Sequence, residues 1–393
     1  MAGSYIVAGA RTPIGKMSGA LASFSAAELG SFAIRAALER AGVSPAEVDH
    51  VIMGQVLMAG QGQVPSRQAA AKAGIPMNVP AINVNKVCLS GLNSIYLADQ
   101  MIQAGDADIV IAGGMESMTN APYIASGARG GFRYGNTELK DAIIADGLWC
   151  AFDSCLMGLG TERYTEGKIS RQQQDELAMK SNQRAAAAIA AGRLADEIIP
   201  VAIAQRKGDP LIVSNDEGVR ADTTMESLGG LKPAFDKEGT ITAANASQLS
   251  DGGSAVVMMS ERFVKDRGVQ ALGQVVSYGM VAGPDNASLL TQPSRAIMKA
   301  LSKVGMSVSD INLFELNEAF AAVGVASIAD LGITDDIVNV NGGAIALGHP
   351  IGMSGNRVAL TILHELRRRG GGVGAAALCG GGGQGDAIIV RTV

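Results

Sequence analysis

Short apolar runs alternate with amphipathic stretches along most of this chain, and that alternation predicts strands followed by helices. "YIVAGA" from Tyr5 is typical of a first strand, and "AINV" from Ala81 is typical of a further short one. The next stretch, "LSGLNSIYLADQMI" from Leu89, has the apolar spacing of a helix. Strands that alternate with helices form parallel or mixed sheets with helices on their faces. We therefore expect an α/β protein.

Two pairs of segments repeat along the chain. The stretches that begin at Ile34 and at Ile297 each read as an amphipathic helix ending near a Gly, a Ser-led turn and an apolar strand. The stretches from Ile82 and from Val338 both read as a strand, a loop, a helix, a Gly-containing turn and a strand. Chance likeness between α/β segments is the alternative for either pair alone. Because both pairs occur in the same order, the chain is predicted to contain two copies of one unit.

A polar segment in the middle of the chain, with a sequence pattern typical of helices, interrupts this repeat. Ser170 followed by Gln173 has the pattern of a capping box at the start of one such helix. We expect a first half over residues 1–119 that is completed by about 246–268, an inserted domain over 120–245 that lies on it, and a second half over 269–393.

Composition excludes several classes of protein. Of the 393 residues, 47% are hydrophobic and 18% charged, which indicates a globular chain of two or three domains. The net charge is −5 with Lys and Arg scattered, so no nucleic-acid partner is expected. No apolar run reaches the roughly 18 residues of a membrane-spanning helix, and the N-terminus lacks the pattern of a signal peptide. We expect a cytoplasmic protein without a membrane partner.

The cysteines point to reactivity more than to cross-linking. Four cysteines, at 88, 150, 155 and 379, are too few for a disulfide framework in a chain of this length. They show no CxxC spacing and only three histidines accompany them, so no metal site is expected.

Cys88 and His349 occupy matching positions in the two copies. Cys88 lies where a strand passes to a helix, and His349 lies in the corresponding loop, "NGGAIALGHPIGMSGN". A twofold relation between the halves would bring the two loops together. Because a neighbouring imidazole and a helix N-terminus both lower the pKa of a thiol, Cys88 is a candidate nucleophile. The alternatives are a buried structural thiol for Cys88 and a loop-capping imidazole for His349.

Two further motifs follow apolar strands in the second half. Around Cys379, "LCGGGGQG" matches GxGxxG, but no helix follows it, so dinucleotide binding is rejected. The Gly run is better suited to bringing backbone N–H groups to a substrate carbonyl beside a thiol. In "FELNEAF", Asn317 is suited to holding a water or a carbonyl, and an Asx turn or helix N-cap is its alternative.

These motifs together carry a resemblance to a known family. The chain resembles the thiolase family over essentially its whole length, and most of all the bacterial acetyl-CoA acetyltransferases within it. The resemblance implies an α/β thiolase fold: a duplicated five-layer α-β-α-β-α core with an inserted loop domain, commonly assembled as a homotetramer. It rests on "NKVCLSG", "NEAF", "GGAIALGHPIG" and "LCGGGGQG", supported by "ARTPIGK", "AGQGQVPSRQAA", "AGGMESM" and "KPAFDKEGT".

The resemblance also implies a reaction and a role for each motif. The reaction is the reversible Claisen condensation of two acetyl-CoA to acetoacetyl-CoA and CoA, by a ping-pong mechanism through an acyl group on Cys88. His349 would activate Cys88, and Cys379 would move the proton at the acetyl C2, with both thiol pKa values close to working pH. A water on Asn317 would form one oxyanion hole with His349, and the backbone N–H groups of Cys88 and Gly381 would form the other.

Acyl-CoA substrates are the partners that the resemblance implies, with no tightly bound cofactor. Arg220 would lie near the nucleotide phosphate of CoA. The pantetheine channel would be lined by Leu148, Met157, Phe235, Ala243, Ser247, Ala319 and Phe320.

Several positions depart from the family pattern, and they leave the acyl-chain length open. Leu156 stands where biosynthetic members usually carry a histidine beside the substrate pocket. Gln248 replaces a usual Gly, and Met353 and Asn356 replace small residues. A broader-chain 3-ketoacyl-CoA thiolase of β-oxidation is therefore the alternative function. A non-catalytic acyl-CoA or lipid-binding protein of this fold is disfavoured, because all four catalytic motifs are intact.

Overall fold

The computed structural model describes residues 3–393. The first half contains β1 (Ser4–Arg11), β2 (Gly15–Lys16), α1 (Ala26–Ala41), β3 (His50–Gly54), α2 (Pro65–Lys72), β4 (Ala81–Val84), α3 (Ser90–Ala104) and β5 (Ile109–Ser117). The segment between the repeats contains β6 (Tyr123–Ile124), β7 (Lys140–Asp141), a π-helical turn (Ile143–Leu148), β8 (Trp149–Cys150), β9 (Cys155–Leu156), α4 (Met157–Thr165), α5 (Arg171–Ala190), β10 (Val201–Ile203), β11 (Leu211–Val213) and α6 (Met225–Gly229).

The chain then returns to the repeated architecture. These elements are β12 (Ser250–Ser260), α7 (Glu261–Arg267), β13 (Gly273–Ala282), α8 (Gln292–Ser302), β14 (Leu313–Leu316), α9 (Ala321–Leu331), α10 (Ala344–Leu347), α11 (Ser354–Arg368), β15 (Val373–Gly380) and β16 (Gln384–Arg391).

The two halves repeat one sheet topology, which confirms the duplication. In the first half the strands lie in the order β4-β3-β5-β12-β1, and in the second half in the order β14-β15-β16-β13. A short antiparallel pairing of β1 with β13 joins them. The prediction of a strand at Val338 is wrong, because Val338 forms only an isolated β-bridge, with Phe314.

The core has five layers because each central strand is apolar on both faces. In β5, Ile109 and Ile111 pack with α1, whereas Val110 and Ala112 pack with α3. In β15 the same alternation places Ala376 with α3 and α11, and its neighbours with α8. Successive side chains of a strand point to opposite faces. Helices α3 and α11 therefore form the layer between the two halves of the ten-stranded sheet, and α1 and α8 lie outside them.

A buried ion triad fastens the inserted segment to the first half. Arg11 of β1 is fully buried and pairs with Glu197 at 2.8 Å and with Asp216 at 2.6 Å. Burial alone would lower the pKa of the Arg11 guanidinium, but the two carboxylates more than offset it and raise that pKa. The capping box predicted at the start of α5 is also present, between Ser170 and Gln173.

Across residues 3–393, no helix combines the length and the apolar composition needed to cross a membrane.

Candidate active site

The loops that carry Cys88 and His349 meet at one end of the central helical layer. Cys88 lies just before α3, and His349 lies just before α11. The two helices approach closely because Gly91 has no side chain: a β-carbon there would lie 2.8 Å from the carbonyl oxygen of Gly352. Cys88 and His349 consequently line one cavity, which confirms that the duplicated loops face each other.

This cavity, of about 60 Å³, brings the predicted reactive groups together. The side chains of Cys88, Cys379 and His349 line it, together with Gly381. Cys379 reaches it from the end of β15. Asn317 lies behind His349 and is fully buried. All four motifs that the sequence singled out therefore converge on one point.

Hydrogen bonds orient the His349 ring at both nitrogens, with Ser354 at Nδ1 and with the side-chain nitrogen of Asn317 at Nε2. Its Nδ1 lies 2.6 Å from the hydroxyl of Ser354, and that hydroxyl donates to the carbonyl of Pro350 at 3.0 Å. Because the Ser354 proton is used there, Nδ1–H donates to Ser354 and Nε2 carries the lone pair. Burial, with a contribution from Arg357, lowers the pKa of His349 to about 3. The imidazole is therefore neutral, and its Nε2 is able to accept a proton.

The expected low pKa of Cys88 is wrong. The backbone N–H groups of Cys88 and Gly381 donate hydrogen bonds to the sulfur, and they lower its pKa. Burial acts in the other direction and is stronger, so the pKa of Cys88 rises to about 12, with Glu116 adding to the rise. Desolvation penalises a thiolate more than these two dipoles stabilise it. Cys88 is accordingly a protonated thiol at rest.

The pKa of Cys379 is also raised, which contradicts the expectation of a value close to working pH. Burial is the main cause, and the proximity of Cys88 is the second. Two thiols that share a small cavity resist ionising together, because each thiolate would raise the pKa of the other.

Glu116 is a residue of this site to which sequence reasoning gave no role. Its carboxylate is fully buried and accepts hydrogen bonds from the backbone N–H groups of Val56 at 3.0 Å, Leu57 at 3.1 Å and Gly352 at 2.9 Å. Burial raises its pKa to about 7, although these N–H groups act to lower it. Since Gly352 belongs to the His349 loop, Glu116 ties that loop to the first half. The sequence feature that could have indicated it is a single carboxylate within the largely apolar strand β5.

A larger apolar cavity, of about 480 Å³, adjoins the small one. The two share Leu148, Met157, Ile351 and His349 among their walls. Of the nine residues that the resemblance assigned to CoA and substrate, all except Arg220 line the larger cavity: Leu148, Leu156, Met157, Phe235, Ala243, Ser247, Ala319 and Phe320. The convergence of these residues agrees with the predicted channel, and their role in binding stays a prediction.

Arg220 lies away from both cavity walls. Its side chain is exposed, and its backbone N–H donates to the side chain of Asn182 at 2.9 Å. A surface cation at this place is suited to a phosphate outside the cavity, so its assignment also stays a prediction.

The departures from the family pattern are built into the hydrogen-bond network. The side-chain amide of Gln248 donates to the backbone carbonyls of Gly218 and Ile345, each at 3.1 Å. The backbone carbonyl of Gln248 accepts from the backbone N–H of His349 at 3.2 Å. Asn356 accepts from Ser254 at 2.6 Å. Leu156 is different, because it places an apolar side chain in the wall of the larger cavity.

A duplicated five-layer α/β core, with two thiols and an imidazole facing one cavity from both halves, defines a class of thiol-dependent acyl-transfer enzymes. Comparison with known families agrees with that class. The model of the thiolase N-terminal domain matches residues 4–262, and that of the thiolase C-terminal domain matches residues 269–392. The chain belongs to the thiolase family, and the resemblance found in its motifs is confirmed.

Similar proteins cover the chain from end to end. A protein of Mycolicibacterium smegmatis named "Probable acetyl-CoA acetyltransferase" is 54% identical over 387 residues, which is 98% of this chain and 100% of that protein. The proteins named "Acetyl-CoA acetyltransferase" of Cupriavidus necator and Pseudomonas aeruginosa are 51% and 50% identical, with 98% of both chains covered in each case.

Proposed function

We propose that this protein is an acetyl-CoA C-acetyltransferase, which condenses two acetyl-CoA to acetoacetyl-CoA and CoA and catalyses the reverse thiolysis. One observation carries the proposal: the thiols of Cys88 and Cys379 share a cavity with the imidazole of His349. The names of relatives about half identical to this chain support the same activity.

Acyl transfer to Cys88 is the first half-reaction. The Cys88 sulfur attacks the thioester carbonyl while its proton moves to Nε2 of His349, so no free thiolate needs to form in the buried site. The N–H groups of Cys88 and Gly381, which hydrogen-bond to the sulfur, are placed to donate to the carbonyl oxygen bound beside it. The departing CoA sulfur takes the proton from His349, which leaves an acetyl group on Cys88.

Carbon–carbon bond formation is the second half-reaction. The Cys379 thiol gives its proton to Nε2 of His349, and the resulting thiolate removes a proton from C2 of a second acetyl-CoA. The Nε2–H of His349 and a water on Asn317 then donate hydrogen bonds to the enolate oxygen. The acyl group prevents the Cys88 sulfur from ionising, which removes the second of the two causes that raise the pKa of Cys379. The enolate carbon attacks the acetyl carbonyl on Cys88. The Cys88 sulfur then leaves and takes the proton from Nε2 of His349, while Cys379 keeps the proton taken from C2, so both thiols and the imidazole return to their resting states.

The size of the small cavity favours a short acyl group. About 60 Å³ beside Cys88 matches an acetyl group better than a long acyl chain. The apolar Leu156 in the wall of the larger cavity is the observation that favours a second candidate, a 3-ketoacyl-CoA thiolase of broader chain length. Thiolysis of acetoacetyl-CoA, 3-ketooctanoyl-CoA and 3-ketohexadecanoyl-CoA separates the two. We expect the highest kcat/KM for acetoacetyl-CoA, and much faster cleavage of the longest substrate would overturn the first candidate.

Mass spectrometry tests the acyl-enzyme directly. Incubation with acetyl-CoA should place one acetyl group on the peptide that contains Cys88, and Cys88→Ser should lose that adduct. Survival of the adduct on another residue of the variant would show that the nucleophile is assigned wrongly.

We infer further that the protein acts in the cytoplasm on free acyl-CoA, as a homotetramer and without a resident cofactor. Support for the assembly comes from the family resemblance and from exposed apolar side chains of the inserted segment, including Tyr123, Phe132, Tyr134 and Leu139. Sedimentation equilibrium tests the assembly, and a concentration-independent monomer would overturn it.

A further inference from the structure

An ion pair crosses between the two halves beside the reactive loop. Lys86 lies two residues before Cys88, and its ammonium group donates to both carboxylate oxygens of Asp386, at 2.7 and 3.0 Å. Lys86 belongs to the first half and Asp386 to β16 of the second half. The Asp386 side chain is fully buried, whereas that of Lys86 is 21% exposed. The pair is therefore largely shielded from solvent.

Asp386 gathers contacts from both halves. Besides Lys86, it accepts hydrogen bonds from the side-chain amide of Asn93 on α3 at 3.2 Å and from the hydroxyl of Tyr278 on β13 at 2.8 Å. Burial and the neighbouring Asp386 raise the pKa of Tyr278 well above its ordinary value, so the hydroxyl stays protonated and donates. Such a fully partnered carboxylate is a rigid anchor for the loop that reaches it.

The loop before Cys88 needs an anchor because its backbone is strained. Val87 has φ +52°, in the left-handed region that a β-branched residue rarely adopts. A residue in that region costs about 1–3 kcal/mol and keeps its conformation only when the surroundings enforce it. Within the loop, Lys86 N–H donates to the Ser90 hydroxyl at 2.8 Å, and that hydroxyl donates to the Val87 carbonyl at 2.6 Å.

The other end of the ion pair lies beside the second reactive thiol. In the β15–β16 ladder, Asp386 is opposite Leu378, and the neighbouring residue Gly385 is opposite Cys379. The turn after β15 also touches the Cys88 loop, since a β-carbon at Gly381 would lie 3.5 Å from the Val87 side chain. The ion pair thus spans the two chain segments whose N–H groups point at the Cys88 sulfur.

We propose that Lys86 and Asp386 are positioning residues that hold the Cys88 loop against the Gly381 turn and thereby set the rate at which Cys88 is acylated. The proposal rests on the acetyltransferase function proposed above. Released from Asp386, the loop relaxes toward the ordinary backbone conformation of Val87. The sulfur then moves away from the two N–H groups that stabilise the tetrahedral oxyanion. A displacement of about 1 Å at a reacting atom slows a reaction by about 10- to 100-fold.

A burst experiment separates positioning from a merely structural contribution. On rapid mixing with acetyl-CoA, the amplitude of CoA release counts the competent sites, and its rate constant reports the acylation step at each site. For Lys86→Met we expect a rate constant about 10- to 100-fold lower with little loss of amplitude. Lys86→Arg, which keeps the charge, should retain most of the wild-type rate constant.

Lys180→Met is the matched control. Lys180 pairs with Asp335 between the inserted segment and the second half, on the surface and away from the thiols. It should leave the rate constant unchanged. A wild-type rate constant in Lys86→Met, with only the amplitude or the melting temperature reduced, would overturn the proposal, as would a Lys86→Arg variant as slow as Lys86→Met. If the wild-type protein itself released no CoA and acquired no acetyl group on Cys88, the acetyltransferase function would fail instead.

Discussion

Nε2 of His349 lies 3.4 Å from the side-chain nitrogen of Asn317, and both side chains are buried. The carbonyl oxygen of the Asn317 side chain has no hydrogen-bond partner within residues 3–393. A buried oxygen in that condition costs roughly 1–3 kcal/mol, and it is available to a water or a substrate group. A neutral imidazole therefore lies next to the unpaired side-chain oxygen of Asn317, at the place where the proposed reaction transfers a proton and forms an oxyanion.

The buried neutral state of His349 predicts a pH dependence of stability. The unfolded histidine takes up a proton near its ordinary pKa, whereas the folded one stays neutral down to about 3. Between those values the unfolded state binds more protons, so this residue lowers the free energy of unfolding as pH falls, by about 1.4 kcal/mol per pH unit.

Urea unfolding of wild type and His349→Gln, measured from about pH 7 to about pH 5, checks this. All other titrating groups are common to the two proteins, so the difference between their slopes reports His349. The variant should lose less stability on acidification, and parallel curves would contradict the depressed pKa.

Cys379→Ala should separate the two half-reactions. Because Cys379 is proposed to act only on the proton at C2, the variant should still accept an acetyl group on Cys88 while condensation falls by about 100-fold or more. Acylation is measured by mass spectrometry, and condensation by the formation of acetoacetyl-CoA. Simultaneous loss of both activities would give Cys379 a different role.

Arg220→Ala should weaken the binding of CoA substrates without changing the chemical step. The side chain is exposed and lies outside both cavities, so its contribution is an attraction to phosphate that is equal in the ground and transition states. We expect a KM raised by about 3- to 10-fold, a kcat close to wild type and a weaker effect at high salt. An unchanged KM would remove Arg220 from the binding site.

Arg11→Met should destabilise the fold strongly. The substitution leaves Glu197 and Asp216 buried without their cation, and removing one partner of a buried ion pair costs about 3–5 kcal/mol. The control is Arg262→Met, which breaks a surface pair with Asp108 and should cost less than about 1 kcal/mol. Both values come from denaturant unfolding, and equal losses would show that the triad contributes no more than a surface pair.

Much of the site was predictable because it follows from local patterns used twice. The duplicated strand–loop–helix pattern implied that Cys88 and His349 occupy equivalent loops, and the cavity they share confirms it. The strand expected at Val338 failed because apolar alternation shows where a strand is able to form. It does not show that Asn339 takes a left-handed backbone conformation, with φ +46°, and bonds to the Leu316 backbone through its side-chain amide in place of a strand ladder.

The protonation states of the thiols could not be derived from the sequence. The amino-acid sequence predicts a helix N-terminus and a nearby imidazole, and both suggested a low pKa for Cys88. The degree of desolvation is not visible there, and it raises that pKa to about 12. Glu116 escaped notice for a related reason, since its partners Val56, Leu57 and Gly352 come from loops brought near only by folding.

By itself, the sequence determined the α/β class, the duplication and the family, and it singled out the candidate residues for the chemistry. These depend on periodicity and on motifs, which are local properties of the chain. Only the tertiary structure decided how far each group is removed from water and which distant groups it meets. Asp386 receives the ammonium of Lys86 across 300 positions of chain, and burial overrides the dipoles at Cys88. Solvation and long-range contact depend on the packing of the whole molecule, and no short stretch of sequence contains them.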